Sequence, residues 1–310
     1  MKFAVIGSGA VGSYYAGVLK RSNNEVYLLS RGKSLETIRD KGLRVITDET
    51  EFIVRPDLAS NRADDFPKVE VVIVAVKAWQ VRDILPEVGK LVNGNTVIIP
   101  LQNGVEAYPI LKERFPDNAA GGVTRLICYV ESPGTVRQVS FTPILEFGRE
   151  DGKVTSSMEE ANIALLKAGI RSTISRDILR EIWKKFLIMA TFGGIGSVTQ
   201  APIGVMRSVR ETRQMMDRCM DEVISVARAM EINLGQKEKE AAWKWFDELP
   251  FTSTSSTQRD IHYGKQSEIF DLNGAVLRLG AKHSVEVPVN LFIYSSLLPL
   301  ELRARGKIYF

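Results

Sequence analysis

Short apolar runs and amphipathic stretches alternate through the first half of the chain. Lys2-Phe3-Ala4-Val5-Ile6 predicts a buried strand, residues 11–21 a helix after it, and residues 25–29 a second strand. The strongest strand signal is residues 69–76, followed by a helix over 79–91, a strand over 96–101 and a helix from Val105. These β-branched runs do not alternate with polar residues, as expected of strands covered on both faces in a parallel sheet. Strand–helix repetition of this kind makes a doubly wound α/β fold.

From about Thr124 to Ile174 the pattern changes. Segments 126–130, 136–139 and 144–147, with Pro133-Gly134 between the first two, predict antiparallel strands that extend the edge of the sheet. After Ser175 strand signals nearly vanish, and helical periods run through 177–199, 206–231, 237–248, 257–281 and 289–304. The expected organisation is an α/β chain, with a Rossmann-type doubly wound sheet over 1–175 and an all-helical domain over 176–310.

Composition narrows the function classes. With 310 residues, 45% hydrophobic and 25% charged, the chain can build a full globular core. The 41 basic and 37 acidic residues give +4, spread without a basic block, so no nucleic-acid arm is expected. Cys128 and Cys219 lie far apart without metal-type spacing, and no metal is expected. The first apolar run is too short for a signal peptide, and a reduced cytoplasmic protein is the expectation. Residues 186–206 carry no charge, about the length of a membrane span. Gly193, Gly194, Gly196, Gln200 and Pro202 interrupt them, which predicts a buried helix and a turn rather than a membrane segment. His262 and His283 lack partner spacing and read as surface or structural residues. Trp243-Lys244-Trp245-Phe246 reads as packing or an oligomer contact, and the apolar helical half is compatible with a homodimer.

Gly7-Ser8-Gly9-Ala10-Val11-Gly12 is a G-x-G-x-x-G sequence that leaves the first predicted strand and opens the first predicted helix. That context makes it a dinucleotide site: Gly7 for the tight turn, Gly9 for approach to the pyrophosphate, Gly12 for close helix packing. Helix N-terminal N–H groups then bind the phosphates. At the end of the second strand, where NAD enzymes place an acid, stands Ser30-Arg31-Gly32-Lys33. Arg31 can pair with a 2′-phosphate through two parallel hydrogen bonds, which points to NADPH. Lys77, in Val74-Ala75-Val76-Lys77-Ala78-Trp79-Gln80, and an amide of Gln102-Asn103 stand at the carboxyl ends of predicted strands, the edge at which open α/β sheets bind ligands.

Together these residues resemble the ketopantoate reductase family. The matching elements are Gly7-x-Gly9-x-x-Gly12, Arg31, Val76-Lys77-Ala78-Trp79-Gln80 and Gln102-Asn103-Gly104. The match continues through Ile182-Trp183-Lys184-Lys185-Phe186, Ser255-Ser256-Thr257-Gln258-Arg259-Asp260, Glu268-Ile269-Phe270-Asp271-Leu272-Asn273-Gly274 and Val287-Pro288-Val289-Asn290. The resemblance implies reduction of 2-dehydropantoate to pantoate by NADPH in pantothenate biosynthesis. It makes Lys185 the proton donor and Asn103 a residue touching nicotinamide and substrate. It also makes Ser256 a ligand of the substrate carboxylate, and places Glu268 beside cofactor and catalytic lysine.

The chemistry asks for such residues independently. Hydride delivered to a ketone leaves an alkoxide, which needs a nearby cation and a proton. An ammonium supplies both, and a carboxylate such as Glu268 favours its charged form. Lys184 reads as the surface neighbour. On a continuous 257–281 helix, Ser256, Asp260, Gly264, Glu268 and Asp271 would share one polar stripe.

The chain departs from the family at the asparagines that hold the substrate. Counted without gaps from Lys185, these positions fall on Met189, Gly193 and Ile203, which predicts a more apolar pocket. Two alternatives therefore stay open: a related NADPH-dependent reductase of a more apolar 2-keto acid or an imine, and a non-catalytic NADPH-sensing protein.

Overall fold

The computed structural model describes all 310 residues, Ser140 and Phe141 through their backbone alone. The chain forms two compact units, Met1–Gln102 with Ala107–Glu181, and Asn103–Glu106 with Ile182–Phe310. The second division falls within a helix, and the short excursion at 103–106 has no counterpart in the sequence pattern.

In the first unit, β1 (Lys2–Ile6), α1 (Ala10–Arg21), β2 (Glu25–Leu29) and α2 (Gly32–Lys41) follow in order. The short strands β3 (Leu43–Ile46), β4 (Glu51–Val54) and β5 (Leu58–Ser60) come next. Then come β6 (Val71–Val74), α3 (Leu85–Leu91), β7 (Val97–Pro100) and α4 (Ala107–Arg114). The first sheet has the order β5-β2-β1-β6-β7, and every pairing in it is parallel. Both β6 and β7 are buried along their whole length, as an unbroken run of Val, Ile and Pro requires. The order reverses at β1, which puts the Gly7–Gly12 turn at the switch point of a Rossmann-type sheet.

The antiparallel strands do not simply lengthen that edge. β8 (Gly121–Ser132) and β9 (Thr135–Gly148) make one long hairpin, so 136–139 and 144–147 are parts of a single strand. With β10 (Arg171–Ile174), β9 joins a second sheet of order β10-β9-β3-β4. Continuity with β7 is limited to a bridge between Ile98 and Ala119. Register shifts at Arg125/Ile127 and Val130/Ser132 mark irregularities that bend the hairpin. α1 fills the space between the sheets: Tyr15 and Leu19 share one core with Val45, Val136, Leu145 and Phe147. α5 (Ser156–Lys167) completes the unit, capped by the Thr155 side chain.

The second unit is helical. α6 (Ile178–Thr199) begins in the first unit and is followed by α7 (Ile203–Ser208), α8 (Arg210–Ala229) and α9 (Gln236–Glu248). α10 (Ser256–His262), α11 (Asn273–Lys282) and α12 (Pro288–Ala304) close the chain. Two expected helices are broken. The 206–231 period is split at Val209, whose extended backbone (φ −82°, ψ 120°) separates α7 from α8. The 257–281 period is split by a turn at 263–272, where Gly264 N–H returns to the Ile261 carbonyl and Lys265 N–H to that of Asp260. The polar stripe from Ser256 to Asp271 therefore does not exist as a helix face. No helix among the described residues is long and apolar enough to cross a membrane, α6 included.

Candidate functional site

In the first unit the chain turns sharply out of β1. Gly7 adopts φ +106°, a conformation only glycine takes without strain, and its N–H donates to Leu29 O at 3.0 Å. Gly12 packs so tightly on that turn that a Cβ would lie 1.9 Å from Gly7 O. Gly9 is different: nothing lies within 4 Å of where its Cβ would be. It is also the N-cap of α1 and has no side-chain cap. An open glycine next to uncapped N–H groups suits a pyrophosphate, so the residues present fit a dinucleotide. Ala10 and Val11 are half-buried beside it.

Ser8 holds this loop to the end of β2. Its Oγ lies 2.5 Å from Ser30 Oγ, and Ser13 Oγ donates to Ser8 O at 3.0 Å. The Ser8–Ser30 pair was not foreseen, although Ser30 occupies the position of the usual acid. Arg31 and Lys33 are exposed, and Arg31 is the N-cap of α2. Lys77 and Gln80 are exposed in the turn after β6, where Lys77 N–H donates to Gln80 Oε1 at 3.2 Å. Gln102, past the end of β7, is structural: its Nε2 donates to Val74 O at 2.8 Å and Val76 O at 2.9 Å.

The second unit gathers the other candidates. Asn103, which leaves β7 in sequence, belongs to this unit by its contacts, and its Nδ2 donates to Glu268 Oε2 at 2.8 Å. Glu268 is 6% exposed and lies in the turn between α10 and α11, not on a helix face. Glu301 builds that turn by accepting from Ser267 N at 2.9 Å and Ser267 Oγ at 2.6 Å. Arg305 donates to the other Glu301 oxygen at 2.6 Å. The short segment is pinned at its far end by Arg278, which bonds Glu106 and donates to Phe270 O at 2.9 Å. Asp271 sits in the same turn. Burial first, then the charges of Glu268 and Glu106, push its carboxyl up to about 6.

Lys185 is half-buried on α6, and so is Lys184, which the sequence had placed on the surface. Met189 and Gly193 follow Lys185 at steps of four, on the same face of the helix. At Gly193 that face meets Thr257 and Leu272: a Cβ there would lie 3.3 Å from Thr257 Cβ and 3.5 Å from Leu272 Cδ1. Ile203 is fully buried, so of the three apolar replacements only Met189 stays partly exposed. Ser256 is exposed in the first turn of α10, whose N-cap Ser255 accepts from Gln258 N at 3.0 Å.

The sequence matches two family models: "Ketopantoate reductase PanE/ApbA" over residues 3–152, and "Ketopantoate reductase PanE/ApbA C terminal" over residues 177–301. The chain belongs to the ketopantoate reductase family. Its membership makes it a nicotinamide-dependent reductase. The 2-dehydropantoate 2-reductase of Aquifex aeolicus (strain VF5) is 28% identical over 311 residues, covering 97% of each chain. The uncharacterized oxidoreductase YkpB of Bacillus subtilis (strain 168) is 27% identical over 298 residues, 96% of this chain and 98% of that protein. Among solved structures, a PanE/ApbA family ketopantoate reductase from Ralstonia eutropha JMP134 matches with a TM-score of 0.90 and 26% identity. The match covers 98% of this chain and 100% of that one. D-mandelate dehydrogenase, in its ternary structure with NADH and anilino(oxo)acetate, shares the fold: TM-score 0.88, 22% identity, 98% and 100% coverage.

Proposed function

We propose that the chain reduces 2-dehydropantoate to pantoate with NADPH, a step of pantothenate biosynthesis. The observation that carries this reading is the bond between half-buried Asn103 and buried Glu268, in a chain of this family. NADPH, held at the Gly7–Gly12 turn, would supply a hydride for the keto carbon. Lys185 gives a proton to the oxygen of that carbon: its N–H bond breaks, an O–H bond forms, and the amine regains a proton from solvent. Glu268 favours the charged form of a lysine near it. Its bond to Asn103 holds the amide that the family resemblance assigns to nicotinamide and substrate. The exposed Ser256 hydroxyl donates to the substrate carboxylate. Lys77 and Gln80 border the cofactor, and Arg31 takes the 2′-phosphate. Steady-state assays with 2-dehydropantoate and NADPH test the reading. Turnover with a kcat/KM of at least about 10⁴ M⁻¹s⁻¹ supports it. Negligible turnover refutes it.

A second reading is favoured by Met189, a half-buried thioether on the face of α6 that bears Lys185. It is the reduction of a more apolar 2-keto acid or an imine. D-mandelate dehydrogenase, a structural neighbour, lends it support of fold alone. A panel of 2-keto acids with aliphatic and aromatic side chains separates the two, since a site that reads a hydroxyl discriminates by up to about 10⁴.

A further inference from the structure

The helical unit holds a second acid beside Glu268 that the mechanism above does not use. Asp271 follows Glu268 by three residues, and its backbone N–H donates to the Glu268 carbonyl at 3.0 Å, so both side chains leave one turn. Its Oδ2 is buried and has no hydrogen-bond partner. The charged groups that face it are Glu268 from its own turn, Glu106 from the 103–106 segment, Arg278 from α11 and Arg305 from the end of α12. Arg278 holds Glu106 and the Phe270 carbonyl, and Arg305 holds Glu301. The turn also presses on the segment that carries Asn103. A Cβ on Gly104 would lie 2.8 Å from the Asp271 carbonyl oxygen. A buried carboxylate oxygen without a donor is unfavourable for folding, and such groups concentrate where they act.

We propose that Asp271 is a positioning residue that forms a two-carboxyl unit with Glu268, whose proton content sets how well the site accepts an anionic substrate. The proposal rests on the keto-acid reading above. With Asp271 neutral the unit carries one negative charge; with Asp271 ionised it carries two. Burial and the neighbouring acids push the Asp271 carboxyl up to about 6, so the change falls in the range where enzymes are assayed. The second charge repels the carboxylate of a keto acid within a screening length of about 8 Å. Binding therefore weakens as pH rises.

The test compares wild type with Asp271→Asn from about pH 5 to about pH 8, by KM and kcat for 2-dehydropantoate. Calorimetry on the NADPH-saturated protein gives the Kd of oxamate, an unreactive analogue of a 2-keto acid. In wild type both KM and the oxamate Kd should rise about five- to tenfold over this range. In Asp271→Asn each should stay within about twofold, with kcat little changed. Asp271→Ser, which also removes the carboxyl, should behave alike. An Asp271→Asn protein that keeps the wild-type slope overturns the proposal. Oxamate binding with the expected slope but without turnover of any keto acid refutes the enzymatic reading and upholds Asp271. No oxamate binding at any pH sinks both.

Discussion

Asn103 and Glu268 lie 165 positions apart in sequence and meet through a single 2.8 Å hydrogen bond from Nδ2 to Oε2. The carboxylate is almost fully buried, and both residues belong to the helical unit. Replacing Asn103 by Ala leaves a buried acceptor without this donor. The expected cost is about 1–3 kcal/mol of stability, together with a fall in kcat/KM of at least tenfold. Chemical denaturation and steady-state kinetics on the same protein check both. Unchanged stability would mean that water replaces the amide freely.

Gly104 follows at φ +102°, with the Asp271 carbonyl 2.8 Å from its missing Cβ. Gly104→Ala meets both a left-handed backbone and a clash. The expected loss is about 1–3 kcal/mol, and Asn103 should move with it, so kcat/KM falls too. Thermal denaturation reads the first effect and kinetics the second.

Asp271 makes stability depend on pH in a defined direction. Its folded-state value of about 6 lies above the ordinary 3.8, so the folded form binds the proton more tightly. That contribution is complete below the unfolded value and is lost as pH rises through the folded one. Asp271→Asn should therefore match wild type at about pH 4 and be more stable at about pH 7.5, by on the order of 1–3 kcal/mol. Equal stabilities at the higher pH would show that the carboxylate is not strained.

Arg31 is exposed at the N-cap of α2, beyond the Ser8–Ser30 contact. If it pairs with a 2′-phosphate, Arg31→Ala should raise the Kd for NADPH about 10- to 100-fold and leave that for NADH within about twofold. Fluorescence titration with both nucleotides measures this. Equal effects on both would remove the phosphate role.

The parallel sheet was legible because Val71–Val74 and Val97–Pro100 are buried on both faces and therefore read as unbroken apolar runs. The hairpin of β3 and β4 was not, since four-residue strands around Asp48-Glu49 leave too short a period. The helix expected over 257–281 failed for a physical reason. Ile261, Leu272 and Val276 keep an apolar period, but Glu301 captures both Ser267 donors from 34 positions away, and that contact has no local signal. Glu268 was thus singled out by family resemblance and misplaced on a helix by periodicity. Asn103 was singled out at a strand end, yet nothing near it in sequence revealed its partner. The glycine turn needed no such long-range information: Gly7, Gly9 and Gly12 act within one turn.

The proton donor is the centre of the account, and single-turnover reduction by Lys185→Ala measures it most directly. With NADPH prebound and 2-dehydropantoate in excess, the rate of NADPH oxidation should fall about 10²- to 10⁴-fold, while the Kd for NADPH stays within about twofold of wild type. Oxidation at the wild-type rate would contradict the role of Lys185. Absence of oxidation in the wild-type protein itself, with NADPH bound and with every acid of the keto-acid panel, would favour a nucleotide-sensing protein over a reductase.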